Sequence, residues 1–148
     1  MSFTKSLITA FLLVSLWHKP SLSSHHETKT EMATLIDLFE KQKTKIPLHV
    51  QEDIYLTNVE INTQTRQIFR TYYLPSFDSA RSRAMQVKQF TREIGRELFE
   101  QCLDHKEQIF ELKISFHYRF IDNSNRVIGL NVINAERCAP YVAARSNT

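Results

Sequence analysis

The sequence predicts an α+β domain: an N-terminal helix, then hairpin, long helix and hairpin. The four strands are expected in one mostly antiparallel sheet with the long helix packed on one face. Three observations carry this. Residues 110–120 alternate strictly, with Phe110, Leu112, Ile114, Phe116, Tyr118 and Phe120 set between Glu111, Lys113, Ser115, His117 and Arg119. That is the period-two signature of a half-buried strand. Residues 80–102 put Ala80, Ala84, Val87, Phe90, Ile94, Leu98 and Cys102 on one side at three-and-four spacing, as a helix against a core requires. Residues 48–74 are rich in Val, Ile, Tyr, Phe and Thr and are interrupted by Asn62-Thr63-Gln64, which reads as two strands and a turn. A sheet built this way is covered on one face and partly wet on the other.

The first segment has a different texture. A short basic start, MSFTK, precedes an uncharged apolar run from Ser6 to Trp17, and His18-Lys19-Pro20 breaks it before the small residues Ser21, Ser23 and Ser24. This is the layout of a secretory signal peptide over residues 1–23, with cleavage before or just after Ser24. An uncleaved N-terminal anchor is the alternative, although a membrane-spanning helix needs about 20 apolar residues and this run is shorter. No cysteine lies near the cut, so the lipid attachment that uses one is not expected. The chain is therefore expected outside the cytoplasm, in the periplasm or secreted.

Residues 24–30 are polar and expected to be flexible. A helix follows to Lys43, with Met32, Leu35, Ile36, Leu38 and Phe39 on one face. Lys41 and Lys43 offset its dipole, and Pro47 forbids continuation. The first hairpin takes strands 49–61 and 65–74. Ser76 or Asp78 is placed to cap the long helix, which runs to about Cys102. Gly95 inside it costs up to about 1 kcal/mol against Ala, which suggests a close approach to the sheet. The second hairpin takes 110–120 and 126–136, turning at Asp122-Asn123-Ser124-Asn125, and Ile128, Leu130 and Val132 carry its apolar register. Residues 139–148 read as a loose tail, leaving 31–138 as a single domain. The chain has no repeat.

Composition narrows the function. The net charge is +3, and removal of Lys5 and Lys19 with the leader lowers it to +1. That balance is far from the basic footprint of a nucleic-acid binder. With only two glycines, Gly95 and Gly129, a Gly-rich phosphate cradle is excluded. The two cysteines, Cys102 and Cys138, are expected to form a disulfide outside the cytoplasm, tying the long helix to the end of the last strand. Two free buried thiols are the alternative. The pair has no C-x-x-C spacing, so a redox role is not expected.

Chemistry-bearing groups are sparse. His25-His26 lacks ligand spacing, no G-x-S-x-G nucleophile pattern occurs, and the carboxylates Glu52, Asp53, Glu111 and Asp122 carry no spacing that sets up a catalytic pair. No metal or cofactor is called for. His117, on the polar side of its strand, and His105, in a connection, are the candidates for an acid–base hydrolase. Lys88, Arg92 and Arg96 form a basic stripe at i, i+4, i+8, which suits an acidic partner or simply a solvated helix face balanced by Glu93, Glu97 and Glu100. The aromatics say more. The first hairpin is apolar on both sides, with Tyr55, Phe69 and Tyr73 opposing Leu56, Ile68 and Tyr72. Such a hairpin has either two covers, the N-terminal helix supplying the second, or one docking surface.

The sequence therefore reads as a small exported non-enzymatic protein that binds another envelope or secreted protein, in an accessory, assembly or inhibitory role. Its contact residues are expected among Tyr55, Phe69, Tyr73, Lys88, Arg92 and Arg96. Size and a single bridge resemble the small accessory proteins of secretion and pilus systems, a likeness resting on no motif. The pilot proteins of those systems usually carry a lipid-attached cysteine that this chain lacks. The alternatives are the hydrolase and a hydrophobic-ligand carrier with its ligand between sheet and helix. The oligomeric state is not legible from the sequence.

Overall fold

The computed structural model describes residues 27–51 and 53–146; the expected signal peptide lies outside the described residues. In chain order the elements are α1 (Glu27–Lys43), β1 (Leu48–Gln51), β2 (Ile54–Asn62), β3 (Gln67–Tyr73), α2 (Ala84–Asp104), α3 (Lys106–Phe110), β4 (Ser115–Ile121), β5 (Val127–Ile133) and α4 (Ala135–Ser146). The strands form one five-stranded sheet in the order β1-β2-β3-β4-β5. Three neighbouring pairs are antiparallel and β3–β4 is parallel. A parallel pair needs a long crossover, which α2 and α3 supply.

The sheet has five strands where four were expected, because the predicted strand 49–61 is two. Asp53 takes a left-handed backbone, φ 63°, and β1 folds back on β2, pairing His49 with Tyr55. Asp is among the few side chains that tolerate this conformation. The next turn follows the expectation: Asn62 accepts the backbone N–H groups of Gln64 and Thr65 at 3.1 and 3.0 Å. Its strand resumes at Gln67 rather than 65, after a left-handed Arg66.

The long helix starts later than expected, at Ala84. Asp78 instead accepts the Ala80 N–H in a local turn, and Ser79 gives both its N–H and its hydroxyl to the Asp122 carboxylate. These side chain–backbone bonds offer the chain an alternative to helix. Arg83 precedes the first turn, its N–H bonded to Gln86 Oε1 at 3.0 Å.

The alternating run is a strand only from Ser115. Lys106–Phe110 is a short helix that buries Ile109, and a left-handed Lys113 resets the chain before β4. Leu112 and Ile114 are buried as the alternation implied, but in the helical part Ile109 is buried and Phe110 only half so. The expected flexible segment 24–30 and loose tail 139–148 also differ. Glu27–Thr30 begin α1, and 139–146 belong to α4. Asn134 opens α4 by accepting the Arg137 N–H at 2.9 Å, and Tyr141 and Val142 pack against the core.

The core lies on one face of the sheet. Register aligns three rows there: Leu56, Tyr72, Phe120 and Gly129; Val59, Arg70, Tyr118 and Asn131; Ile61, Ile68, Phe116 and Ile133. From α2, Phe90, Ile94, Leu98 and Cys102 bury against this side, and from α1, Leu35 and Phe39. Both long helices therefore share one face.

Candidate docking face of the sheet

The opposite face holds the alternate residues of the same strands. Tyr55, Tyr73, Ile121 and Val127 form one row, Asn58, Thr71, Arg119 and Leu130 the next, and Glu60, Phe69, His117 and Val132 the third. Tyr55, Phe69, Tyr73, His117, Ile121 and Val132 are half-buried by their neighbours. Val127 and Leu130 are 53% and 65% exposed. The result is an apolar, aromatic surface with one acid and one arginine, Glu60 and Arg119, set into it. Phe69 and His117 stack with ring centres 4.5 Å apart, and His49 lies 5.0 Å from Tyr55. Ser115 Oγ sits 3.0 Å from His117 Nε2, and partial burial lowers the pKa of this histidine. A shallow hollow of about 360 Å³ at the β2–β3 turn, lined by residues 60–64 and Phe69, borders the face.

Three of the six expected contact residues, Tyr55, Phe69 and Tyr73, come together here. Lys88, Arg92 and Arg96 do not: they are exposed on α2, which lies on the other side of the sheet. Residues 121, 127, 130 and 132 belong to the face and were missed. In β5 the sequence argued that Ile128, Leu130 and Val132 carry the core register; Ile128 is buried in the core, but beyond the bulge Gly129, Asn131 and Ile133 occupy the rows under the helices and Leu130 and Val132 face the other way. α2 crosses over this part of β5: a Cβ on Gly95 would lie 3.6 Å from Asn131 Oδ1, an ordinary contact distance. Small and polar side chains sit under the crossing, and Leu130 is turned outward.

The disulfide joins Cys102 to Cys138. Because Cys138 lies in α4, it ties helix to helix, and not helix to the last strand as expected. Both sulfurs are buried on the helical side.

The two histidines weighed for hydrolysis are separated by the sheet. His105 is buried against Phe116, ring centres 5.3 Å apart, on the helical side, while His117, next to Phe116 in sequence, lies on the opposite face. Burial, and then the nearby Arg70 cation, lower the His105 pKa to about 4. They are not placed to act on one substrate. The cleft between α1 and the sheet, lined by Leu35, Phe39, Ile61 and Ile68, holds about 10 Å³, room for about one water. Among the described residues no group of three His, Cys, Asp or Glu is placed to hold a metal, and no described helix is long and apolar enough to cross a membrane.

No protein-family model matches this chain, and no curated protein sequence matches it. Among solved structures, it resembles a candidate secreted protein from Pseudomonas aeruginosa at 14% identity, with a TM-score of 0.50 over 81% of this chain and 99% of that one. It also resembles the pilotin EpsS of the Vibrio vulnificus type 2 secretion system at 8% identity, with a TM-score of 0.49 over 77% of this chain and 97% of that one. The first likeness speaks to the fold alone, and the second is too distant to carry an argument.

Proposed function

We propose that this chain is an exported, non-enzymatic protein that binds another envelope or secreted protein through the uncovered face of its sheet. Its role is accessory, assembling or inhibitory, and a secretion or pilus system is a fitting setting. The observation that carries the reading is the position of α1. It packs on the same side as α2, so the aromatic face around Phe69 and Tyr73 receives no cover from either long helix. Rings that are half-buried within one chain present large rigid area at low entropic cost, the property of protein contact centres. Export is supported by the leader-like first residues and by the disulfide, which persists in oxidising compartments. The fold is shared with a candidate secreted protein, and a fold by itself assigns no role.

Site-specific photo-cross-linking tests the proposal. A photoreactive side chain at Tyr73, in cells making the protein, should give a discrete adduct with one protein. That protein, once purified, should bind the wild-type chain and lose more than tenfold in affinity to Phe69→Glu. An adduct arising from Arg92 but not from Tyr73 would move the contact to the helical side. No adduct from either, or equal binding by Phe69→Glu, would end the reading.

A further inference from the structure

We infer that the partner meets Arg119 with a carboxylate: the segment that docks on the uncovered face is apolar and carries an aspartate or glutamate seated on this guanidinium. This rests on the docking proposed above and adds the chemistry of the partner to it. Arg119 is exposed in the middle row of the face, between Thr71 on β3 and Leu130 on β5. His117 and Ile121 flank it on the same side of β4, and Phe69 and Tyr73 stand diagonally across on β3.

None of these six neighbours is an acid. Among the described residues Arg119 enters no hydrogen bond or ion pair. The one acid in the three rows, Glu60, lies two strands away on β2 and accepts the Asn58 amide at 2.6 Å. His117 adds no cation near neutral pH, because burial lowers its pKa from the ordinary 6.5. Arg119 is therefore a lone positive charge in apolar and aromatic surroundings.

Water satisfies this guanidinium while the face is open. A partner that covers Phe69 and Tyr73 removes much of that water, and a covered charge without a counter-charge is strongly unfavourable. An apolar segment without an acid is thus opposed at the centre of its own contact. A carboxylate reverses this. It matches the guanidinium through two parallel N–H···O bonds, and the low dielectric of the apolar surround strengthens the pair. A lysine or arginine at the same point of the partner is repelled, which excludes wrong partners. Tyrosine and arginine are the residues that dominate contact centres, and the middle of this face presents both. The rings supply area, and Arg119 supplies the choice among apolar segments.

A phage-displayed library of random short peptides, panned on the purified, disulfide-intact chain, tests this. Binders lost to Phe69→Glu or to Tyr73→Ala define the docking face. These face binders should share an aspartate or glutamate among apolar residues. By fluorescence anisotropy, their affinity should fall more than tenfold for Arg119→Gln, and as much when the peptide's acid is replaced by its amide. Arg119→Glu should prefer the same peptides with lysine in place of the acid. Arg119 is exposed, so both of its variants should keep the wild-type melting temperature. Face binders without an acid, or binders held by Arg119→Gln as tightly as by the wild type, would overturn the inference and leave the docking face standing. A library with no binder sensitive to Phe69→Glu or Tyr73→Ala would overturn both.

Discussion

The Arg70 guanidinium lies 4.9 Å from the centre of the Phe39 ring, and both residues are buried, at 3% and 1% exposure. A strand cation thus meets the face of an aromatic ring from α1, a favourable contact when desolvated. Burial raises the Tyr72 pKa, and the same Arg70 cation draws it down in part. Among the described residues the Arg70 Nε has no hydrogen-bond partner, and the ring lies against a group that is costly to bury. This contact holds the N-terminal helix on the helical side, so neither long helix covers the other face.

Phe39→Ala should therefore cost about 3–5 kcal/mol, and amide exchange should rise in α1 before it rises in β3 and β4. A loss under about 1 kcal/mol in denaturant unfolding would show that α1 contributes little to the core.

Neighbouring tyrosines should behave oppositely. Tyr72 is 1% exposed and stacks on Phe120 with ring centres 5.4 Å apart, whereas Tyr73 lies on the uncovered face. Tyr72→Ala should cost about 3–5 kcal/mol by analogy with other large aromatic truncations, and Tyr73→Ala less than about 1 kcal/mol. Equal costs would mean that the second face is packed against something.

Opening the disulfide should destabilise. It closes a separation of 36 residues, for which the chain-entropy relation gives about 4 kcal/mol. A Cys102→Ala, Cys138→Ala double variant should unfold at clearly lower denaturant with its fold retained. An unchanged midpoint would mean that α4 docks without its tether.

Acid should act in two windows. His105 is held at about 4 against an ordinary 6.5, so the unfolded chain takes up its proton first. Stability is full above about 6.5 and is lost as the pH falls through about 4, by roughly 3 kcal/mol; His105→Phe should flatten that limb. Burial raises the Asp122 pKa, but bonds from the Ser79 hydroxyl and the Arg126, Ser79 and Ser124 N–H groups outweigh it and bring it to about 2. Its contribution is present above the ordinary 3.8 and declines toward pH 2, where Asp122→Asn should remove the dependence. A stability profile flat from pH 7 to 4 would contradict the burial of a neutral His105.

Gly95 should accept alanine. A Cβ there would meet Asn131 Oδ1 at 3.6 Å, an ordinary contact, and the helix interior gains about 0.5–1 kcal/mol from the change. The close backbone approach expected from the sequence is not what places a glycine here, since the space holds a methyl group. A lower melting temperature for Gly95→Ala would mean that the crossing is tighter than this geometry.

Much of the α+β plan was legible because local periodicity reports which side of an element seeks cover. Phe90, Ile94, Leu98 and Cys102 on α2, and Phe116, Tyr118 and Phe120 on β4, are buried as their spacing implied. Tyr55, Phe69 and Tyr73 could be singled out because the first hairpin is apolar on both sides. The break at Asp53 was hidden, since a single left-handed residue leaves no periodic trace. The tail was misread as loose, whereas packing on α2 and the bond to Cys102 hold α4 in place.

By itself the sequence determined the elements that bury an apolar side, the pairing available to its two cysteines, and the presence of one hairpin with more aromatic surface than a single cover needs. Only the tertiary structure decided which face that cover takes and which residues of β5 lie beneath it. Periodicity is a property of neighbours along the chain. The side of the sheet that a helix chooses depends on contacts between distant residues, such as Phe39 with Arg70 and Gly95 with Asn131, and no local pattern encodes them.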